Sequence, residues 1–171
     1  MPTTEMVRIG VLSDTHGTVP EQVFSFFKDC DELWHAGDIG RGVLERLRAF
    51  KPVRAVYGNM DDYSMRYDVP ETALFVCGGL KVLMTHIGGW PGHYQQNILK
   101  IIEQDRPDIF VCGHSHILKV MYDQEHRLLH INPGAAGRQG FHKVGTLVSF
   151  TIDGVPKDLE ILDFPKFGNA K

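Results

Sequence analysis

Short apolar runs separated by polar turns set the rhythm of the chain, and long amphipathic stretches are few. The run VRIGVL at residues 7–12 predicts a strand, and over residues 20–30 the apolar positions Val23, Phe26, Phe27 and Cys30 recur at helical spacing. The alternation then repeats. Residues 32–36 predict a second strand, residues 42–50 a helix with Val43, Leu44 and Leu47 on one face, and residues 53–57 a third strand. A βαβαβ run of this kind predicts a parallel sheet with right-handed crossovers.

The second half changes rhythm. Residues 73–77 and 80–85 flank Gly78-Gly79, a two-residue hairpin signal. A helix follows over residues 94–105, carrying Ile98, Ile101 and Ile102 and closed by Pro107, and then a strand over residues 109–112. Two further hairpins are expected, one over residues 118–131 turning at 123–125 and one over 146–162 turning at Asp153-Gly154. So many strands with so few helices predict two packed sheets flanked by helices. No repeat, low-complexity tract or linker divides the chain, so a single domain over residues 1–171 is expected.

Composition narrows the function. A net charge of −3 gives no broad basic field, which argues against duplex nucleic acid as the partner and favours a small substrate or a protein. Three cysteines, Cys30, Cys77 and Cys112, form no CxxC pair and fit a reducing compartment. The start MPTTEM lacks the pattern of a signal peptide and no apolar run suffices to span a bilayer, so a cytoplasmic protein without membrane attachment is expected. Nine histidines scattered along the chain suggest a site assembled from distant segments.

The polar residues at the strand ends carry the chemistry. The first strand is followed by SDTHG, the second by GD, the third by GNMD, the fifth by His86, and the strand over residues 109–112 by GHSH. In α/β sheets ligands bind outside the carboxyl ends of the strands. Turn chemistry alone gives no reason for Asp, Asn and His at the same end of five strands, so Asp14, His16, Asp38, Asn59, His86, His114 and His116 are expected to converge. Seven nitrogen and oxygen donors are too many for one tetrahedral ion and fit two divalent ions sharing a carboxylate. In an extended GHSH segment His114 and His116 would project to the same side, each toward a different ion.

At these residues the sequence resembles the calcineurin-like metallophosphoesterase superfamily, whose pattern is DxH, GD, GN, a lone His and GHxH in that order. Here the pattern stands as Asp14-Thr15-His16, Gly37-Asp38, Gly58-Asn59, His86 and Gly113-His114-Ser115-His116. NPGAAG at residues 132–137 resembles the NPGS element of the small bacterial and archaeal phosphodiesterase branch. The resemblance implies an α/β, four-layer αββα sandwich of two mixed sheets flanked by helices. It also implies that Asp14, His16 and His116 serve one ion, that Asn59, His86 and His114 serve the other, and that Asp38 bridges them. Manganese is favoured, with iron, zinc, nickel and magnesium compatible.

The expected activity is that of a dinuclear phosphodiesterase in which a metal-bridging hydroxide attacks phosphorus in line. Many monoester phosphatases of the superfamily have GNHE, whose histidine protonates the leaving oxygen; here Met60 takes that place, and a thioether donates no proton. That favours diesters or esters with good leaving groups. The alternatives are a phosphomonoesterase using another donor, such as His93 or His142, and a metal-poor interaction scaffold like the retromer subunit that shares this fold. Around the pocket, Trp90 is a candidate for stacking and Arg138 for holding a phosphate, each with a plain packing or surface role as the competing reading. Asp61 is expected to orient Asn59 or a water, and His35 to have a supporting role. The exposed edge the hairpins leave allows a homo-oligomer.

Overall fold

In a computed structural model, which describes residues 5–167, the chain builds two five-stranded sheets. The order of elements is β1 (Val7–Leu12), α1 (Glu21–Phe26), β2 (Glu32–His35), α2 (Val43–Phe50), β3 (Val53–Ala55), α3 (Tyr63–Asp68), β4 (Thr72–Cys77), β5 (Leu80–Thr85), α4 (Gln96–Asp105), β6 (Ile109–Val111), β7 (Leu118–Asp123), β8 (Leu128–Pro133), β9 (Val144–Ile152) and β10 (Pro156–Pro165). The first sheet runs β10-β9-β1-β2-β3 and the second β4-β5-β6-β8-β7. In each, three parallel strands are extended by antiparallel ones.

The period of two along the strands sorts side chains into layers. Ile9 and Val11 of β1, Val82 and Met84 of β5, and Val148 and Phe150 of β9 meet in a core between the sheets, with Trp34 edge-on to Phe75 and Phe150. Leu12, Leu33 and Leu147 face the other way, against Val23 and Phe27 on the α1 side and Val43, Leu44 and Leu47 of α2. On the far side of the second sheet, Leu83, Phe110 and Leu128 pack against Ile98 and Ile102 of α4. The layers are therefore helix, sheet, sheet, helix. Gly10 lies on the outer face of β1, where a Cβ would sit 2.7 Å from the Phe27 ring, so its lack of a side chain lets Phe27 reach the sheet.

Several expected boundaries move. The first helix covers six residues, because the chain turns after Phe27 to enter β2. The helix expected from residue 94 begins at Gln96, because the Gln95 amide is bonded back to the Gly88 carbonyl at 3.0 Å and holds the preceding residues in the loop. Beyond Ala55 the third strand leaves the ladder, and the Tyr57 amide bonds to Pro70 instead. Helix α3, unannounced by any apolar period, has no buried residue and is capped by Asp62, whose carboxylate accepts from the Met65 amide. Met84 is buried between the sheets and Met65 packs half-buried on the α1 and α2 side, whereas Met6 and Met121 are 62% and 41% exposed. All three cysteines are buried thiols. No helix among the described residues is long and apolar enough to cross a membrane.

Candidate metal centre

The turns after β1, β2, β3, β5 and β6 gather the polar residues that the sequence singles out. Asp14, His16 and His116 form one group and Asp38, His86 and His114 another, the ligand-type atoms within each lying within 4.8 Å of one another. Asn59 borders the second group, its Oδ1 3.1 Å from His114 Nδ1.

Each carboxylate is held by one oxygen and presents the other. Asp14 Oδ2 accepts from the Ser13 hydroxyl at 2.6 Å and from the His114 amide at 3.1 Å. Its Oδ1 lies 3.2 Å from His116 Nε2 and 3.8 Å from the Nε2 atoms of His16 and His86. Asp38 Oδ1 accepts from the Met60 amide at 2.8 Å, while Oδ2 lies 3.1 Å from His86 Nε2 and 3.8 Å from His16 Nε2. Ring orientation at His86 is fixed from behind. Its Nδ1 is 2.8 Å from the Ala36 carbonyl, which only accepts, so Nδ1 carries the proton and the neutral ring turns a bare Nε2 toward the two aspartates.

Asp14 Oδ1, His16 Nε2 and His86 Nε2 are buried and have no hydrogen-bond partner among the described residues. Buried polar atoms are nearly always paired, so three orphans aimed at one another mark a place for a cation. The electrostatics agree. Burial pushes the Asp14 carboxyl up, but His116, His86 and Ser13 outweigh it and hold it below the ordinary carboxylate range. Burial acts likewise on Asp38, where His86 and the Met60 amide prevail and lower it. Burial pulls the His86 imidazole down, yet Asp38 and Asp14 raise it overall. The donor set fits two cations of the kind that mixed nitrogen and oxygen ligands prefer.

The backbone bends to deliver these side chains. Asp14, His16, Asp38, His114 and His116 have φ of 56°, 46°, 53°, 71° and 62°, all in the left-handed region. The extended geometry expected for GHSH therefore does not hold. Two left-handed residues send His114 and His116 to different groups.

Supporting contacts come from residues outside the ligand set, among them His35 in the supporting role expected of it and Asp61, which is expected at Asn59 but braces backbone amides. Asp61 accepts from the amides of Gly58 at 2.8 Å, Ile39 at 2.9 Å and Gly40 at 3.0 Å, tying the turn after β2 to the turn after β3. Asn132 donates to the Gly113 carbonyl and Ser115 hydroxyl, bracing GHSH, and the amides of Ala136 and Gly137 bond to the carbonyls of Ser13 and Asp14. Fully buried His35 accepts from the Gly37 amide at Nδ1, so its Nε2 donates to Thr15 Oγ1, whose hydroxyl passes on to the Ile39 carbonyl. Burial lowers that imidazole to about 4. A pattern search for ligands overlooks such residues, because they work on backbone groups.

The remaining candidates scatter. Trp90 lines a cavity beside His114. Arg138 lines a different one with Thr18, Glu21 and Lys166. His93 packs on Trp90, and His142 lines a hollow that also touches His116. Met60 is 68% exposed beside Asn59.

Comparison with known proteins bears on the fold and the family. The chain is 30% identical over 162 residues, 90% of its length and 91% of the relative's, to a probable metallophosphoesterase of Methanothermobacter thermautotrophicus. Among solved structures, an archaeal phosphodiesterase superposes with a TM-score of 0.73 at 21% identity, covering 92% of this chain and 99% of that one. Vps29 of Entamoeba histolytica, solved with Zn2+, superposes with a TM-score of 0.65 at 21% identity, covering 91% and 98%. These two likenesses show the fold. Residues 7–154 match the model of the calcineurin-like phosphoesterase superfamily domain, and with its curated relative this makes the chain a member of that family.

Proposed function

We propose that the chain is a phosphodiesterase for small phosphoesters that works with two divalent metal ions, manganese favoured. Asp14, His16 and His116 would hold one ion, Asn59, His86 and His114 the other, and Asp38 would bridge them. The observation that carries this reading is the set of buried atoms Asp14 Oδ1, His16 Nε2 and His86 Nε2, which face one another and have no hydrogen-bond partner among the described residues. Bridging by Asp38 is supported by Oδ2, which lies near His16 of one group and His86 of the other.

When bound, two such ions activate a water at neutral pH and neutralise charge on the phosphoryl oxygens. The chain's own part is positional. Ser13, the Met60 amide and the Ala36 carbonyl each hold the far side of a ligand residue, so that one atom of Asp14, Asp38 and His86 is aimed inward. Met60 offers no proton to a departing alkoxide, which favours diesters and good leaving groups over alkyl monoesters. A single domain acting in the cytoplasm fits this reading.

The test is a paired assay on chelator-stripped protein with manganese added back, comparing bis-p-nitrophenyl phosphate with p-nitrophenyl phosphate. Metal-dependent cleavage that is faster for the diester is expected. Asp38→Asn is expected to weaken binding of both ions and reduce turnover by at least about 10³-fold. Faster monoester cleavage would turn the reading to a monoesterase. No activity and no bound metal would turn it to a scaffold.

A further inference from the structure

Behind His114 lies a cavity of about 230 Å³ that the proposed metal chemistry does not use. Gly113 and His114 form its inner wall, and Ile87, Trp90, Ile117, Lys119 and His130 are among the residues that complete it. Three of these, Ile87, Trp90 and Ile117, are large apolar side chains left exposed. Such a cluster around a concavity marks a ligand contact better than it marks a solvated surface.

The cavity is built rather than incidental. His130, on β8, is buried, and its Nδ1 has no hydrogen-bond partner among the described residues. The Lys119 ammonium lies 5.3 Å over the Trp90 ring, a cation inside an apolar recess. The loop that carries Ile87 and Trp90 follows His86 directly and is fixed at several points. Gly88 leaves room for the Phe110 ring, which a Cβ there would meet, and Gly89 has a φ of 84°. The His93 amide bonds to the Trp90 carbonyl at 2.7 Å and the Gln95 amide to Gly88 at 3.0 Å, while the Tyr94 hydroxyl anchors the loop's end on Asp123.

We propose that this cavity is the subsite for the organic group of the phosphodiester, and that it takes one planar ring bearing hydrogen-bond acceptors, the chemistry of a nucleobase. The proposal rests on the phosphodiesterase reading for what lies at His114. Size supports a single ring system, since whole drug-sized ligands fill roughly 300 to 1,000 Å³. Trp90 supplies an aromatic surface, Ile87 and Ile117 the apolar sides, and Lys119 a donor for a ring carbonyl.

Two measurements separate this subsite from the reaction. The first is equilibrium titration of metal-free protein with thymidine, followed by tryptophan fluorescence. Trp34 is fully buried and Trp90 is 44% exposed, so a bound ring quenches Trp90 alone and the emission of Trp34 reports that the fold is intact. Saturable quenching is expected, lost in Trp90→Phe and shifted to at least about fivefold higher thymidine in Lys119→Leu. The second is kcat/KM with manganese for thymidine 5′-(p-nitrophenyl phosphate) against methyl p-nitrophenyl phosphate, which share a leaving group. A preference of about tenfold or more for the thymidine ester is expected, collapsing toward parity in Trp90→Ala. Cleavage of both esters at equal efficiency with no quenching would overturn the subsite while leaving the phosphodiesterase standing, and would leave the apolar rim as a surface for a protein partner. Quenching with neither ester cleaved would keep the ring site and overturn the phosphodiesterase.

Discussion

At the scale of single residues, the site is held in backbone conformations that its own side chains disfavour. Five of the eight non-glycine residues with positive φ among the described residues are candidate ligands. An L-residue in the left-handed region costs about 1 kcal/mol or more, and such strain collects where a side chain must be aimed. His114, exposed and with φ 71°, allows a clean test. In metal-free protein His114→Gly and His114→Ala both delete the ring, but only glycine relaxes the backbone. His114→Gly is expected to be more stable by about 1 kcal/mol in urea unfolding. Equal midpoints would mean that the turn carries no such strain. The ligand residues were legible in the sequence because Asp, Asn and His recur after strand after strand. The left-handed bends were not, since they fall on Asp14, Asp38 and His114 themselves and not on glycines.

Elements explain which parts of the fold the sequence announces. Buried strands declare themselves as apolar runs, and α2 declares itself through Val43, Leu44 and Leu47. Helix α3 has no fully buried residue and packs only Met65, half-buried, on the core, so no periodicity marks it, and only Asp62 at its start hints at a cap. The joining of β9 to β1 was likewise hidden, because a hairpin sequence fixes its own register but not the sheet it enters. The cross-ties between turns are the least visible feature. Asp61 connects the ends of β2 and β3 through three backbone amides that have no other acceptor among the described residues. Asp61→Ala strands those donors and is expected to lower unfolding free energy by about 3 kcal/mol. It is also expected to weaken manganese binding, because Asp38 and Asn59 sit on the two turns that Asp61 joins. Retention of both stability and manganese affinity, read by urea titration and calorimetry, would show the tie to be dispensable.

For the whole molecule, burying histidines in the outer layer makes stability depend on pH with a definite sign. Burial, reinforced by Lys119, lowers the His130 imidazole to about 4 despite the opposing pull of Asp123. An unfolded histidine titrates near about 6.5, so the unfolded chain takes up a proton where the folded chain does not. The contribution is therefore fully present above about pH 6.5 and is lost as pH falls toward 4. At pH 5 the loss is about 2 kcal/mol, or about 6 °C in melting temperature for a domain of this size. The metal centre overlays a change of opposite sign, because His86 has a raised pKa and favours the folded state at low pH. A comparison of variants removes that overlay. His130→Phe keeps a ring against Tyr94 and Phe110 and deletes only the titrating nitrogens. Between pH 7 and pH 5 the unaltered metal-free protein is expected to lose about 6 °C more than His130→Phe in thermal unfolding. Parallel curves for the two would mean that His130 takes up a proton as readily in the folded chain as in the unfolded one, and that its burial carries no pH-dependent stability.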